Sequence, residues 1–152
     1  MPAEVEQSSN GKPIIQFSVF ADNKVGRLNE LLHNLAKHEI AVMGLAQLDA
    51  TDCSVMRFIP NYPEATRKML TEVGYPYTEC NLLVVEIPSE ASLKRISATL
   101  LEAEINIDYL YPLLTRPGIN CALALHVEDL SFARHAMAHR GLRCLGLEDI
   151  AR

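Results

Sequence analysis

The chain has 152 residues, 49% of them hydrophobic and 22% charged, so it can bury a real core as one ordinary domain or two very small ones and is not a disordered segment. Its formal net charge of −5 argues against a nucleic-acid surface, and no apolar run reaches membrane-spanning length. Cys53, Cys80, Cys121 and Cys144 show no C-x-x-C or zinc-ligand spacing, and Met1 to Gly11 lacks the apolar stretch of a secretory signal, so free thiols in a reducing cytoplasm are expected, with no metal and no cofactor.

Met1 to Lys12 is polar and is expected to form a flexible tail (residues 1–12). Ile14 to Ala21 then reads as a strand that ends in the turn residues Asp22 and Asn23. From Gly26 to about His38, apolar residues fall at Leu28, Leu31, Leu32 and Leu35, the i, i+3, i+4, i+7 pattern of an amphipathic helix. Ile40–Leu48 and Cys53–Ile59 form a hairpin around Asp49 to Asp52. Pro63–Val73 is helical, with Met69, Leu70 and Val73 on one side and Gly74 as its stop, and a short strand at Tyr77–Cys80 closes the unit.

The same order returns. Leu82–Ile87 is a strand, Ala91–Ala103 a helix carrying Leu93, Ile96 and Leu100, and Ile105–Leu114 with Asn120–Val127 a second hairpin around Arg116, Pro117 and Gly118. Leu130–Arg140 is a helix that stops at Gly141, and Leu142–Ile150 is expected to supply the last strand. Leu28 and Leu93 lie 65 residues apart, as do Ile40 and Ile105, while Arg67 and Arg134 lie 67 apart, as do Gly74 and Gly141. The expected fold class is therefore α+β: two ferredoxin-like βαββαβ repeats, residues 13–81 and 82–152, each an antiparallel sheet with its helices on one face.

The stretch from Phe17 to Leu28, with Asp22-Asn23-Lys24-Val25-Gly26-Arg27-Leu28 at its end, resembles the opening of ACT domains. There a strand runs into Asn or Asp, one variable residue, Pro-Gly, another variable residue and Leu. The tandem arrangement from Ile14 to Ile150 is similar to stand-alone two-repeat ACT proteins. The motif has a physical reading of its own: a helix N-terminus presents unpaired N–H groups, and Gly26 lets a carboxylate approach them. Asn23 offers a donor and an acceptor. The plainer reading is that Asp22 or Asn23 caps the helix.

Val25 stands where the family commonly has Pro, and the second repeat has Glu90 and Ala91 in place of Pro and Gly, which would repel an anion. In serine-inhibited phosphoglycerate dehydrogenases the second ACT strand carries an Ile-Asn-Ile stretch whose Asn reaches the ligand. Ile105-Asn106-Ile107-Asp108 resembles it, whereas the first repeat has Ile40-Ala41-Val42-Met43. The resemblance thus implies one composite ligand site at the repeat–repeat interface, from Asp22, Asn23, Lys24, Val25, Gly26, Arg27 and Leu28 together with Asn106 and Asp108.

His135 and His139 stand i, i+4 but lack a third ligand, and no nucleophile motif appears, so the chain is not expected to be an enzyme. The reading is a non-catalytic regulatory module for a small amino acid or related carboxylate, a homodimer acting on a metabolic enzyme or regulator, without nucleic acid or membrane. Its alternatives are a structural dimerisation module without ligand and an acylphosphatase-like hydrolase using Arg27. Tyr109 and Tyr111 share a strand face, to line the pocket or to pack.

Overall fold

In chain order the elements are β1 (Ile14–Ala21), α1 (Arg27–Lys37), β2 (Val42–Asp49), β3 (Ser54–Pro60), α2 (Pro63–Val73), β4 (Tyr77–Ile87), α3 (Ala91–Glu102), β5 (Ile107–Pro112), β6 (Cys121–Val127), α4 (Leu130–His139) and the single turn α5 (Leu147–Ile150). The computed structural model describes residues 11–50, 52–115, 118 and 120–151. Most of the expected tail, and Arg116 and Pro117 of the expected turn, lie outside the described residues. At the end of that tail the Lys12 amide donates to Glu148 Oε2 (3.0 Å), and its carbonyl accepts from the Leu147 amide (2.9 Å).

The chain forms two compact units, residues 15–80 and the residues from 81 on, the latter joined by the segment that ends at Ile14. In the first unit the strand order is β2-β3-β1-β4, and β3 is antiparallel to both β1 and β2. Register pairs Phe17 with Phe58 and Val19 with Met56, so these four side chains share one face. Leu31 and Leu35 of α1 and Met69 and Leu70 of α2 complete the same core, which puts both helices on one side of the sheet. Phe17 and Phe58 stack at 5.9 Å between ring centroids.

The second unit repeats this plan. β6 is antiparallel to β4 and β5, and the backbone at Arg143–Leu145 runs beside β4, bonding Glu86 and Val84. Leu83, Val85, Leu123, Leu125 and Val127 form the apolar face, covered by Ile96 and Leu100 of α3 and Ala133 and Met137 of α4. Each unit is thus an antiparallel βαββαβ sandwich of ferredoxin-like form, as the repeat pattern implies.

Several local expectations need correction. The strands expected at Tyr77–Cys80 and Leu82–Ile87 are one unbroken strand, β4, because a lone Asn81, with no Gly or Pro beside it, does not break the run. The strand expected over Leu142–Ile150 is reduced to a bridge between Val85 and Cys144. Beyond it, Asp149 accepts from the Gly146 amide at 2.8 Å, and Glu148 and Asp149 place negative charge on the first turn of α5, where helix N–H groups favour it. Val73 and Leu93, expected on core faces, are 50% and 45% exposed. The buried stripes are Thr66, Met69 and Leu70 in α2, and Ser92, Ile96, Thr99 and Leu100 in α3.

The repeats also share a device that their alignment does not suggest. Glu39 and Glu104, which follow α1 and α3, both hold left-handed backbone, at φ 57° and 56°. Each lets the next residue turn back on its helix: the Ile40 amide donates to the Leu35 carbonyl and the Ile105 amide to the Leu100 carbonyl, both at 2.9 Å. Both side chains are exposed, so the strain is not offset by packing. Glu39→Gly and Glu104→Gly are each expected to stabilise the protein by about 0.5–1 kcal/mol, the left-handed strain less the extra chain entropy of glycine. Urea unfolding checks this: both midpoints should rise, and a fall in both would show that the glutamate side chains matter more than the backbone.

Candidate functional site

Between β1 and α1 the chain must leave the sheet and enter a helix within five residues, Asp22 to Gly26. Gly26 accomplishes the reversal at φ 91°, in the left-handed region, directly before Arg27 opens α1. A Cβ built on Gly26 would meet no atom within 4 Å, so its glycine is required by backbone conformation and not by crowding.

Asp22 anchors the loop. Arg27 donates from Nε to Asp22 Oδ1 at 2.6 Å and from Nη2 to Oδ2 at 3.3 Å, while Nη1 reaches Glu30 Oε2 at 3.1 Å. Lys24 Nζ lies 3.6 Å from Asp22 Oδ2. The Arg27 hydrogen bond holds the Asp22 carboxyl below the usual carboxylate range, and the bonds to Asp22 and then Glu30 raise the Arg27 guanidinium further.

Asn23 Nδ2 donates to the Ala50 carbonyl at 2.9 Å, which ties the loop to the tip of the β2–β3 hairpin. At that tip Asp49 lies opposite Ser54 and Gln47 opposite Met56. Asp49 Oδ1 accepts from Ser54 Oγ at 3.1 Å and from Gln47 Nε2 at 3.5 Å. A cavity of about 280 Å³ lies between loop and hairpin, lined by Asp22, Asn23, Lys24, Val25, Gly26, Arg27 and Leu28 and by Gln47, Asp49, Ser54 and Met56. All seven loop residues expected from the sequence therefore meet at one cavity. Val25 contributes to that lining while remaining fully exposed.

Asn106 and Asp108 belong to the second unit and form a network there. The Asn106 amide donates to Glu128 Oε1 at 3.0 Å, and its Nδ2 to Asp108 Oδ1 at 3.3 Å. Asp108 Oδ2 lies 2.8 Å from His126 Nδ1, and the His126 ring stacks on Tyr109 at 4.9 Å. Tyr109 and Tyr111 stack in turn at 6.5 Å. The hairpin residues Gln47, Asp49, Ser54 and Met56 carry no mark in the sequence. Asp49 reads there as part of a turn, and nothing in a turn signal tells which strand-end side chain faces a neighbouring loop. Among the described residues no cluster of three His, Cys, Asp or Glu could hold a metal ion, and no helix is long and apolar enough to cross a membrane.

The family pattern of an ACT domain pair matches residues 12–150. The chain belongs to the ACT domain family. No curated protein matches it. Among solved structures, a Bacteroides thetaiotaomicron protein is similar with a TM-score of 0.84 at 20% identity, covering 95% of this chain and 99% of its own. The ligand-free regulatory subunit of aspartate kinase from Thermus thermophilus is similar at 0.59 and 14% identity, covering 84% and 91%. The corresponding subunit from Thermus flavus gives 0.53 and 15%, covering 84% and 92%. At these identities the likeness is one of fold.

The Asp22–Arg27 pair makes the titration of Asp22 a probe of how this ACT pair anchors its loop. A carboxyl whose folded pKa is depressed contributes order above its ordinary value, about 3.9 for Asp, and loses it as pH falls through the folded value. An NMR titration of the Asp22 carboxyl carbon should give a midpoint below that ordinary value, and Arg27→Gln should move it up. A midpoint that Arg27→Gln leaves in place would show that another group holds Asp22.

Proposed function

We propose that this ACT pair is a non-catalytic regulatory module that binds a small amino acid or a related carboxylate, with the first-repeat cavity as the core of the site. The carrying observation is that the loop entering α1, left-handed at Gly26, lines a cavity instead of packing against the sheet. Amides at the start of a helix carry partial positive charge, so the ligand carboxylate sits against the backbone of Val25 to Arg27. Asn23 directs its amide nitrogen to Ala50, which leaves Oδ1 as an acceptor for the ligand.

Membership of the ACT family supports a regulatory, ligand-binding role, and two of the structures sharing the fold are regulatory subunits. A hydrolase reading would need Arg27 for an anionic substrate, but that guanidinium is committed to Asp22 and Glu30. In this proposal the protein works in the cytoplasm as a homodimer, and ligand occupancy shifts its packing toward a state that a metabolic enzyme or regulator reads.

A thermal-shift screen against the proteinogenic amino acids should find at least one that raises the melting temperature, since a ligand stabilises the state it binds. Calorimetry should then show binding lost in Gly26→Val, because a β-branched residue does not hold φ 91°. Ala91→Val, at the equivalent second-repeat position, should leave affinity unchanged. Asn106→Ala tests whether the second repeat contributes; a composite site predicts a loss of about 1–3 kcal/mol. If none of the amino acids or their carboxylate analogues shifts the melting temperature, the chain is a structural module instead.

A further inference from the structure

The cavity contains two carboxylates in different electrostatic situations. Asp22 is matched by two cations, Arg27 at 2.6 Å and Lys24 at 3.6 Å. Asp49 has no Lys or Arg within ion-pair distance among the described residues; its Oδ1 is held by two neutral donors, Ser54 Oγ and Gln47 Nε2. Ser54 is itself buried, 4% exposed, so its hydroxyl fixes the Asp49 carboxylate from below without neutralising it. Among the described residues no donor is bonded to the second oxygen, Oδ2, which remains as an acceptor. The lining is thus polarised: helix amides and Lys24 lie on the loop side, and an uncompensated carboxylate stands at the hairpin tip. Asn23 spans the two sides through its bond to Ala50, the residue that follows Asp49.

We infer that Asp49 is the specificity determinant of the cavity: it receives the α-ammonium group of the ligand and so selects amino acids over the equivalent carboxylates that lack an amine. This rests on the proposed ligand-binding function and narrows it from small carboxylates in general to α-amino acids. The ammonium donates to Asp49 Oδ2 and Asn23 Oδ1, while the carboxylate meets the loop amides. A 2-hydroxy acid of the same shape keeps the carboxylate bonds, but its hydroxyl has one donor and no charge, so it loses the ion pair with Asp49 and cannot also donate to Asn23. One lost hydrogen bond together with the lost ion pair makes the expected selectivity at least about tenfold.

The test titrates each proteinogenic L-amino acid, and the 2-hydroxy acid carrying the same side chain, into the full-length protein and into Asp49→Asn. The asparagine keeps an oxygen that can accept from Ser54 and Gln47, and thermal unfolding without ligand should confirm an intact fold. The wild-type protein is expected to bind its best amino acid at least about tenfold more tightly than the matching hydroxy acid. Asp49→Asn should bring that ratio near one by weakening the amino acid alone. Equal wild-type affinities for the two series would overturn the role of Asp49 and leave the binding function standing, whatever the variant does. An Asp49→Asn protein that retains the selectivity would also overturn it. If neither series binds, the inference and the proposed function fail together.

Discussion

Everything in this fold depends on covering one apolar sheet face in each unit. In the first, Phe17, Val19, Met56 and Phe58 stand on the same side; in the second, Leu83, Val85, Leu123, Leu125 and Val127 do. Side chains alternate along a strand, so these residues cannot be hidden individually, and apolar area left in water costs about 25 cal/mol per Å². Two helices per unit are the cover, and both must approach from the same side. The connections at the strand ends are therefore constrained in direction as well as length.

The cavity is a by-product of that constraint. β1 ends at Ala21, and the chain must reverse before α1 can lay Leu31 and Leu35 on the sheet. The left-handed turn at Gly26 completes the reversal, and the Asp22–Arg27 pair closes the loop without filling the space beneath it. Because Leu45, Gln47 and Asp49 follow one another on one face of β2, the strand that supplies Leu45 to the core also supplies Asp49 to the cavity. The second repeat lacks the glycine, and Glu90, at φ −58°, runs straight into its helix.

Much of this is legible in the residues because it rests on local periodicity. The Leu28, Leu31, Leu32, Leu35 stripe marks α1, and the repeated spacing of Ile40 and Ile105, both buried, reflects two copies of one core, whereas Leu93, the counterpart of Leu28, is exposed. The first hairpin and the loop from Asp22 to Gly26 follow from turn chemistry. Contacts set by register are less legible. The β2–β3 pairing slips between Val42 and Gly44, and only with that irregularity do Asp49 and Ser54 come to face each other. The C-terminal end misleads for another reason. Leu142 to Leu145 has strand-like composition, but the acidic pair Glu148 and Asp149 after Gly146 favours a helical turn, and the capping interaction outweighs strand propensity. The helix stops at Glu39 and Glu104 are invisible in the sequence because a glutamate carries no signal for left-handed backbone.

The attachment of Lys12 to Leu147 and Glu148 brings the first and last elements of the described region within hydrogen-bonding distance of each other. Glu148, with its carboxyl lowered by the Lys12 amide, also ties that junction electrostatically. Such closeness makes the connectivity of the polypeptide separable from its architecture. The chain can be reopened at Gly118, which is exposed, and rejoined from Ile150 to Lys12 by a short bridge, and each described strand and helix would keep its neighbours. A circularly permuted form would present new ends at the β5–β6 hairpin, a place to attach reporters in the repeat that does not carry the Asp22–Gly26 loop.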